Sequence, residues 1–282
     1  MRSDGTLVIM VPCQEGLVVA SDSRQTLNEG TFCDGAVKLL ESPIRERFIL
    51  AVTGRRGFYP LHLALFRPET ACEYVRRTPR EFDLGMVAMR YADADAATDL
   101  ANLDMVALAK NCLHELKGYF DTNPSRAPAS NGDRFSSSVI LASFDHVTRT
   151  AIIRSFEVAV TPDLTALNAK QVLNERFTPD DLAQPVVCGE HDYLTQQVLP
   201  VIKDHPISST TLHQIGNFPI CNFPRVEDQS LQQAVDVATD LIEAASTMTA
   251  TVPAQSGIGG PLDVRLIGDY QRPVAVSPLK AT

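Results

Sequence analysis

The sequence predicts an α+β fold in which two antiparallel sheets pack face to face and helices cover their outer sides. Two hairpin patterns carry this prediction, because the strands of a hairpin pair antiparallel. The predicted helices fall in groups between the hairpins instead of alternating with single strands, which disfavours a parallel βαβ arrangement. No internal repeat is visible in the 282 residues, and a single domain over residues 6–268 is the simplest organisation.

The predicted strands are short apolar runs rich in Val, Ile and Leu. Residues 6–12 and 16–21 form the first hairpin, with a glycine at the CQEG junction that suits a tight turn. Residues 48–54 predict a third strand that ends in a turn, and residues 136–144 and 148–158 predict the second hairpin.

The predicted helices carry apolar residues at helical spacing. Residues 98–120 and residues 228–248 show this stripe, and Asp228 or Ser230 is available to cap the second of these helices. A third helix is expected from Phe58 to about Arg77, with an interruption near Arg67-Pro68.

The rest of the chain is assigned mainly from its flanking turn signals. Residues 185–189 predict a short strand that runs into a helix at about 190–203, and residues 261–268 predict the last strand. Residues 121–134 predict a loop, and residues 269–282, which include two prolines, predict a C-terminal tail.

Composition and charge narrow the possible functions. The chain is 44% hydrophobic and 21% charged, with a formal net charge of −9 and no basic stripe, which disfavours nucleic acids and anionic membranes as partners. Six scattered cysteines without a CxxC pair predict reduced thiols, and no run approaches a membrane span, so we expect a cytoplasmic protein. The six histidines show no metal-ligand spacing, and we expect neither a metal nor another cofactor.

Two charged residues lie beside predicted buried strands. Asp22 follows the second strand within the sequence SDSR, and Lys38 is flanked by aliphatic residues in AVKLL. A lysine in such a place needs a partner for its ammonium group, and Asp22 is the natural one. A buried pair of this kind is either a structural ion pair or part of a catalytic site.

The spacing of three short motifs adds a family resemblance. Thr6, Asp22 and Lys38 lie in GTLVIMV, VVASDSR and GAVKLL, and their spacing resembles that of the β-type subunits of the proteasome, which are N-terminal nucleophile hydrolases. The resemblance covers most of residues 5–268 and is strongest over 5–57. It implies a four-layer αββα sandwich, a homo-oligomeric ring, peptide or unfolded-protein substrates and a possible AAA+ unfoldase partner.

The same resemblance implies a mechanism for a threonine-type endopeptidase. Autocatalytic cleavage at Gly5-Thr6 would remove residues 1–5 as a propeptide and leave Thr6 as the nucleophile. The new α-amine, with a pKa near ~8, would accept the hydroxyl proton. Lys38 and Asp22 would tune that amine, Arg24 would support the pair, and the amide of Gly54 would stabilise the oxyanion.

The sequence also departs from the family pattern at two places. Glu190 and His191 follow Gly189 where the family carries a Gly-Ser-Gly motif, and TVPAQSGIGG lacks the late aspartate, leaving Ser256 or Gln255 nearby. These departures keep two other functions open. One is a non-catalytic structural or assembly subunit, and the other is an amidohydrolase or peptide ligase of the same fold.

Overall fold

The structure is a computed structural model, and it describes residues 6–28, 31–43, 48–60, 72–73, 77–95, 99–128, 135–161, 167–189, 223–251 and 258–268. The fold is α+β with antiparallel sheets, as predicted. In chain order, the described strands are β1 (Leu7–Cys13), β2 (Gly16–Ser21), β3 (Gln25–Asn28), β4 (Thr31–Cys33), β5 (Leu39–Glu41), β6 (Ile49–Gly54), β7 (Gly57–Phe58), β8 (Phe82–Asp83), β9 (Phe135–Asp145), β10 (Thr150–Val160), β11 (Leu167–Phe177), β12 (Val186–Gly189) and β13 (Asp263–Gly268). The described helices are α1 (Leu84–Ala94), α2 (Met105–Thr122) and α3 (Leu231–Thr251), with short 3-10 turns at Pro124–Arg126 and Val226–Asp228.

The first sheet has four antiparallel strands in the order β12-β1-β2-β13. β1 and β2 form the predicted N-terminal hairpin, in which Val8 pairs with Ser21 and Cys13 with Gly16. Every residue of β1 and β2 is buried, which explains why both read as continuous apolar runs without alternation. The sheet therefore has both of its faces covered along these two strands.

The second sheet has five antiparallel strands in the order β11-β10-β9-β6-β5. Its centre is the long β9–β10 hairpin, which confirms the second predicted hairpin. β6 pairs along β9, from Ile49 opposite Ala142 to Gly54 opposite Ser137. The sheet thus brings the end of β6 to the middle of the fold.

Three apolar clusters hold these elements together. The residues of β1 alternate between two of them: Leu7, Ile9 and Val11 pack with α3, whereas Val8 and Met10 pack with residues of the five-stranded sheet. The third cluster lies between α1, α2 and the other face of the five-stranded sheet. The two sheets are therefore in apolar contact.

Helix α2 begins later than predicted. The Asp104 carboxylate accepts hydrogen bonds from the amides of Val106 and Ala107, which fixes the first turn after residue 104. Leu100 and Leu103 are nevertheless buried, because they lie in a turn whose carbonyls accept hydrogen bonds from the Arg154 guanidinium. The apolar stripe was correct, but its first turn is not helical.

Helix α3 confirms the strongest helix prediction. Its predicted apolar stripe is buried apart from a half-buried Leu231. The cap is Ser230: the Gln233 amide donates to the Ser230 hydroxyl, and the Gln233 side chain accepts from the Ser230 amide. Asp228, the other candidate cap, ends a 3-10 turn instead.

Several predictions fall on residues that the structure does not describe. These are the propeptide 1–5, the helix at 190–203, the tail 269–282 and most of the helix from Phe58 to Arg77. At the start of that last segment, Gly57–Phe58 forms β7 and pairs with β8 instead. α1 and β11 were not predicted.

The prediction of reduced thiols is wrong for two of the six cysteines. Cys33 and Cys72 form a disulfide, with a Cα–Cα distance of 5.3 Å across a sequence separation of 39 residues. So wide a spacing gives no signal in the sequence, because the fold alone brings the two cysteines together. Cys13 and Cys112 are buried free thiols, and Cys188 is a half-buried one.

Within the described residues, no helix is both long and apolar enough to cross a membrane.

Candidate active site

The carboxylate of Asp22 is the centre of the candidate site. Asp22 directly follows β2 and is fully buried. Its Oδ1 accepts hydrogen bonds from the Lys38 ammonium at 2.8 Å and from the Leu7 amide at 3.0 Å. Its Oδ2 accepts from the amides of Gly259 at 3.2 Å and Arg24 at 3.3 Å. Four donors around one buried carboxylate fix its position and offset its loss of water.

Lys38 contacts Asp22 from the segment that leads into the five-stranded sheet. It lies immediately before β5, which belongs to the five-stranded sheet, and its side chain is 8% exposed. Burial lowers the pKa of Lys38, whereas the nearby Asp22 carboxylate raises it. Burial likewise raises the pKa of Asp22, against the effect of Lys38. Each group therefore depends on the other to stay ionised.

Thr6 lies at the start of β1, next to this pair. It is buried, and the residue that follows it, Leu7, donates its amide to Asp22. One carboxylate oxygen thus contacts both the Lys38 ammonium and the first peptide nitrogen after Thr6. The structure places Lys38 in contact with Asp22, and it places Thr6 next to the residue whose amide donates to Asp22.

Gly189 lies against the carbonyl group of Thr6. It ends β12, pairs with Leu7 and has a φ of +95°. A Cβ atom there would lie 1.8 Å from the Thr6 carbonyl oxygen and 3.2 Å from Cγ2 of Thr53. Only a glycine allows the strand to approach Thr6 this closely. Thr53 precedes Gly54, so the end of β6 also lies near Thr6.

Arg24 contacts two segments that flank the loop carrying Asp22. Its guanidinium donates from Nε to Oδ1 of Asp34 at 2.8 Å, and its Cζ would lie 2.6 Å from a Cβ atom at Gly259. The Ser23 hydroxyl accepts from the Gly35 amide at 3.2 Å, and the Ser23 amide donates to the Gly259 carbonyl at 3.1 Å. These contacts tie two separate segments, one at Asp34 and Gly35 and the other at Gly259, to the loop that carries Asp22.

Two of these contacts were missed by sequence reasoning. Gly259 is separated from Asp22 by 237 residues, and nothing in the GIGG sequence indicates a contact with Asp22. Asp34 carries no motif of its own, although it lies four residues before Lys38. Three other predicted site residues, Gly5, Glu190 and Ser256, lie outside the described residues.

Comparisons with known proteins give distant structural similarities. No family model and no curated protein matches the sequence. Among solved structures, the chain is similar to Anbu (ancestral beta-subunit) from Yersinia bercovieri, with 14% identity and a TM-score of 0.44 over 96% of this chain and 88% of that one. It is also similar to an Anbu Gly-1 mutant from Hyphomicrobium sp. strain MC1, with 14% identity and a TM-score of 0.42 over 97% of this chain and 89% of that one.

The assignment to the β-type subunits of the proteasome is therefore wrong. No family model supports it, and the similar structures are named Anbu, or ancestral beta-subunit, at 14% identity. The assignment depended on three short motifs within residues 5–57, and such motifs do not establish membership of a family over a whole chain. What the site can do must be argued from its own geometry.

Proposed function

We propose that this protein is a threonine-type endopeptidase that cleaves amide bonds with Thr6 as its nucleophile, after autocatalytic cleavage of the Gly5-Thr6 bond. The observation that carries the proposal is the contact of one Asp22 oxygen with both the Lys38 ammonium and the Leu7 amide. A buried lysine–aspartate pair next to a threonine at the start of a strand provides the charges that an amine-activated hydroxyl requires.

The chemistry begins at the new chain terminus. The neutral α-amine of Thr6 accepts the proton of its own hydroxyl, and the oxygen attacks the carbonyl carbon of the substrate. The positive charge of Lys38 favours the neutral form of that amine, and Asp22 holds the lysine in place. The tetrahedral intermediate collapses to an ester as the amine returns its proton to the leaving nitrogen. Water then hydrolyses the ester.

Gly54 is the proposed source of the oxyanion donor. It ends β6, one residue after Thr53, whose methyl group faces Gly189 beside Thr6. A backbone amide in a preorganised position at this place would stabilise the negative oxygen of the tetrahedral intermediate. Arg24 is proposed to support the site by fixing the loop that carries Asp22.

The proposal includes the four-layer αββα arrangement expected from the sequence. Its support is the alternation of β1 between two apolar clusters and the packing of α1 and α2 on the five-stranded sheet. Assembly into a homo-oligomeric ring, unfolded-protein substrates and an AAA+ unfoldase partner remain predictions.

The first experiment measures the intact mass of the purified protein and its hydrolysis of a fluorogenic peptide mixture. We expect loss of residues 1–5 and measurable turnover, and we expect Thr6→Ala to abolish both. Thr247→Ala, at an exposed position on α3, is the matched control and should change neither. Retention of residues 2–5 without turnover would contradict the proposal and favour a non-catalytic subunit. Unchanged turnover in Thr6→Ala would exclude the nucleophile.

A further inference from the structure

A pair of arginines lies at the edge of the candidate site. Arg56 follows Gly54 by two residues, and its guanidinium donates to the Val37 carbonyl at 2.5 Å. Val37 directly precedes Lys38, so Arg56 contacts the segment that carries the catalytic lysine. The Arg56 side chain is 12% exposed.

Arg80 reaches the same region from the segment before α1. Its guanidinium lies 4.8 Å from the centre of the Tyr59 ring and donates to Oε1 of Gln25 at 3.4 Å. Gln25 directly follows Arg24, so Arg80 contacts the segment that carries Asp22. Its side chain is 15% exposed. The two arginines thus lie close to both segments that build the site.

One carboxylate serves both arginines. Asp83 accepts from Arg56 Nε at 2.8 Å and from Arg80 Nη1 at 3.2 Å. The same carboxylate caps α1, accepting from the amides of Gly85 at 2.9 Å and Met86 at 3.2 Å. Two cations and a helix N-terminus therefore share a single negative charge.

The charge balance of this cluster is positive. Arg56 and Arg80 keep the pKa of Asp83 below its ordinary value even though burial raises it. Burial and the charge of Arg56 together lower the pKa of Arg80. Each guanidinium has five N–H groups and, among the described residues, donates two hydrogen bonds. A second anion would find both charge and donors here.

A purely structural role explains only part of this arrangement. One arginine would suffice to offset Asp83 at the start of α1. Among the described residues, two largely buried guanidinium groups on one carboxylate leave an excess positive charge, which costs free energy unless an anion binds. The formal net charge of the whole chain is −9, so the local excess of positive charge at Arg56 and Arg80 is opposite in sign to the charge of the chain.

We propose that Arg56 and Arg80 form an anion subsite beside the segments that carry Asp22 and Lys38, and that this subsite selects peptide substrates carrying a carboxylate side chain near the bond to be cleaved. This inference rests on the proposed function, because it names the substrate class of the same site. The subsite binds the carboxylate without reacting with it, and the amide is cleaved at Thr6.

The test measures binding, so that it does not depend on turnover. Fluorescein-labelled neutral peptides, with a single Glu or Gln moved through each position, are titrated into the Thr6→Ala protein produced without residues 2–5, so that no uncleaved segment precedes the site, and binding is followed by anisotropy. At one position we expect Glu to bind about fivefold more tightly than Gln. That advantage should shrink in 0.5 M NaCl, because salt screens the attraction between the peptide carboxylate and the two arginines.

Variants then assign the preference to the cluster. Arg80→Gln in the Thr6→Ala protein should abolish the Glu advantage, whereas Arg80→Lys should keep most of it. Arg90→Gln is the matched control: Arg90 pairs with Glu115 on the exposed side of α1 and should leave the preference unchanged. Circular dichroism checks that each variant is folded.

Two results would overturn the inference. One is equal or undetectable binding of the Glu and Gln peptides at every position. The other is a Glu advantage that persists in a folded Arg80→Gln variant. A Glu advantage in Thr6→Ala together with an inactive wild type would instead contradict the proposed hydrolysis while leaving the anion subsite in place, so the two failures are distinguishable.

Discussion

At the scale of single residues, the Asp22 carboxylate joins three separate parts of the chain. It contacts the start of β1 through Leu7, the segment before β5 through Lys38 and the segment before β13 through Gly259. The buried carboxylate and the buried ammonium each lose their hydration, and each recovers part of that cost from the other. The pair therefore stabilises the fold only while both members are present.

We expect Lys38→Met to reduce stability and activity together. The substitution leaves Asp22 buried with its amide donors but without a cation, which costs about 3 kcal/mol in the free energy of unfolding. The double variant Asp22→Asn/Lys38→Met should be more stable than Lys38→Met, because it removes the unpaired charge. Both should lack peptide hydrolysis. Urea unfolding and a fluorogenic peptide assay give the two readouts.

The control for the Lys38→Met variants is an exposed ion pair. Arg77 and Glu73 form an i,i+4 pair whose side chains are 78% and 64% exposed. Arg77→Met should change the unfolding free energy by less than about 0.5 kcal/mol and leave turnover unaltered. If Lys38→Met is as mild as Arg77→Met, the buried pair has no structural role. If it retains full turnover, Lys38 has no catalytic role.

At the scale of secondary-structure elements, the end of β12 determines where Thr6 lies. Gly189 pairs with Leu7 in a conformation that L residues avoid, and its backbone lies against the Thr6 carbonyl. The Thr53 methyl group is close to the same point. The start of β1 is thus held between the ends of β12 and β6, which fixes the proposed nucleophile.

Gly189→Ala should displace Thr6. The added Cβ would lie 1.8 Å from the Thr6 carbonyl oxygen, in a backbone conformation with φ of +95°, so the strand end must move. We expect a loss of about 1–3 kcal/mol in stability, together with loss of hydrolysis. Gly118→Ala is the control, because no atom within 4 Å opposes a Cβ in α2 and the change should stabilise the helix by about 0.5–1 kcal/mol. Full turnover in Gly189→Ala would contradict this role for β12.

Elements with a strong local pattern were predictable from the sequence, and others were not. β1, β2, β6 and α3 carry long apolar runs or stripes, so their positions follow from the residues alone. β11 was missed because polar residues such as Lys170 and Glu175 interrupt its apolar pattern. The same distinction holds for the site: the Asp22–Lys38 pair follows from two charges among apolar residues, whereas the Gly259 contact depends on the tertiary fold.

At the scale of the whole molecule, the site spans the contact between the two sheets. Asp22 extends β2 of the four-stranded sheet, and Lys38 precedes β5 of the five-stranded sheet. An apolar cluster that includes Val8, Met10 and Ile49 holds these sheets together. Any loosening of that contact separates the pair, so global stability and the geometry of the site are coupled.

The Cys33–Cys72 disulfide also restrains this region. Cys33 ends β4 and directly precedes Asp34, which pairs with Arg24 beside Asp22. The bridge closes a sequence separation of 39 residues, so the chain-entropy model gives about 4 kcal/mol of stabilisation. The bond therefore limits the unfolded chain and also anchors one of the loops behind the site.

Reduction of this disulfide should lower the melting temperature by on the order of 10 °C, as follows from the lost free energy and the size of the chain. The Cys33→Ser/Cys72→Ser variant should melt at the temperature of the reduced protein and should not respond to reductant.

Burial raises the pKa of Cys13 to about 11 and those of Cys112 and Cys188 to about 12. These three thiols are therefore poorly reactive, and native alkylation at neutral pH should leave them unlabelled.

Two outcomes would contradict the prediction for the disulfide. A reductant effect that persists in the Cys33→Ser/Cys72→Ser variant would show that the stabilisation comes from elsewhere. An unchanged melting temperature on full reduction, verified by mass after alkylation in denaturant, would show that the bridge does not restrain the fold.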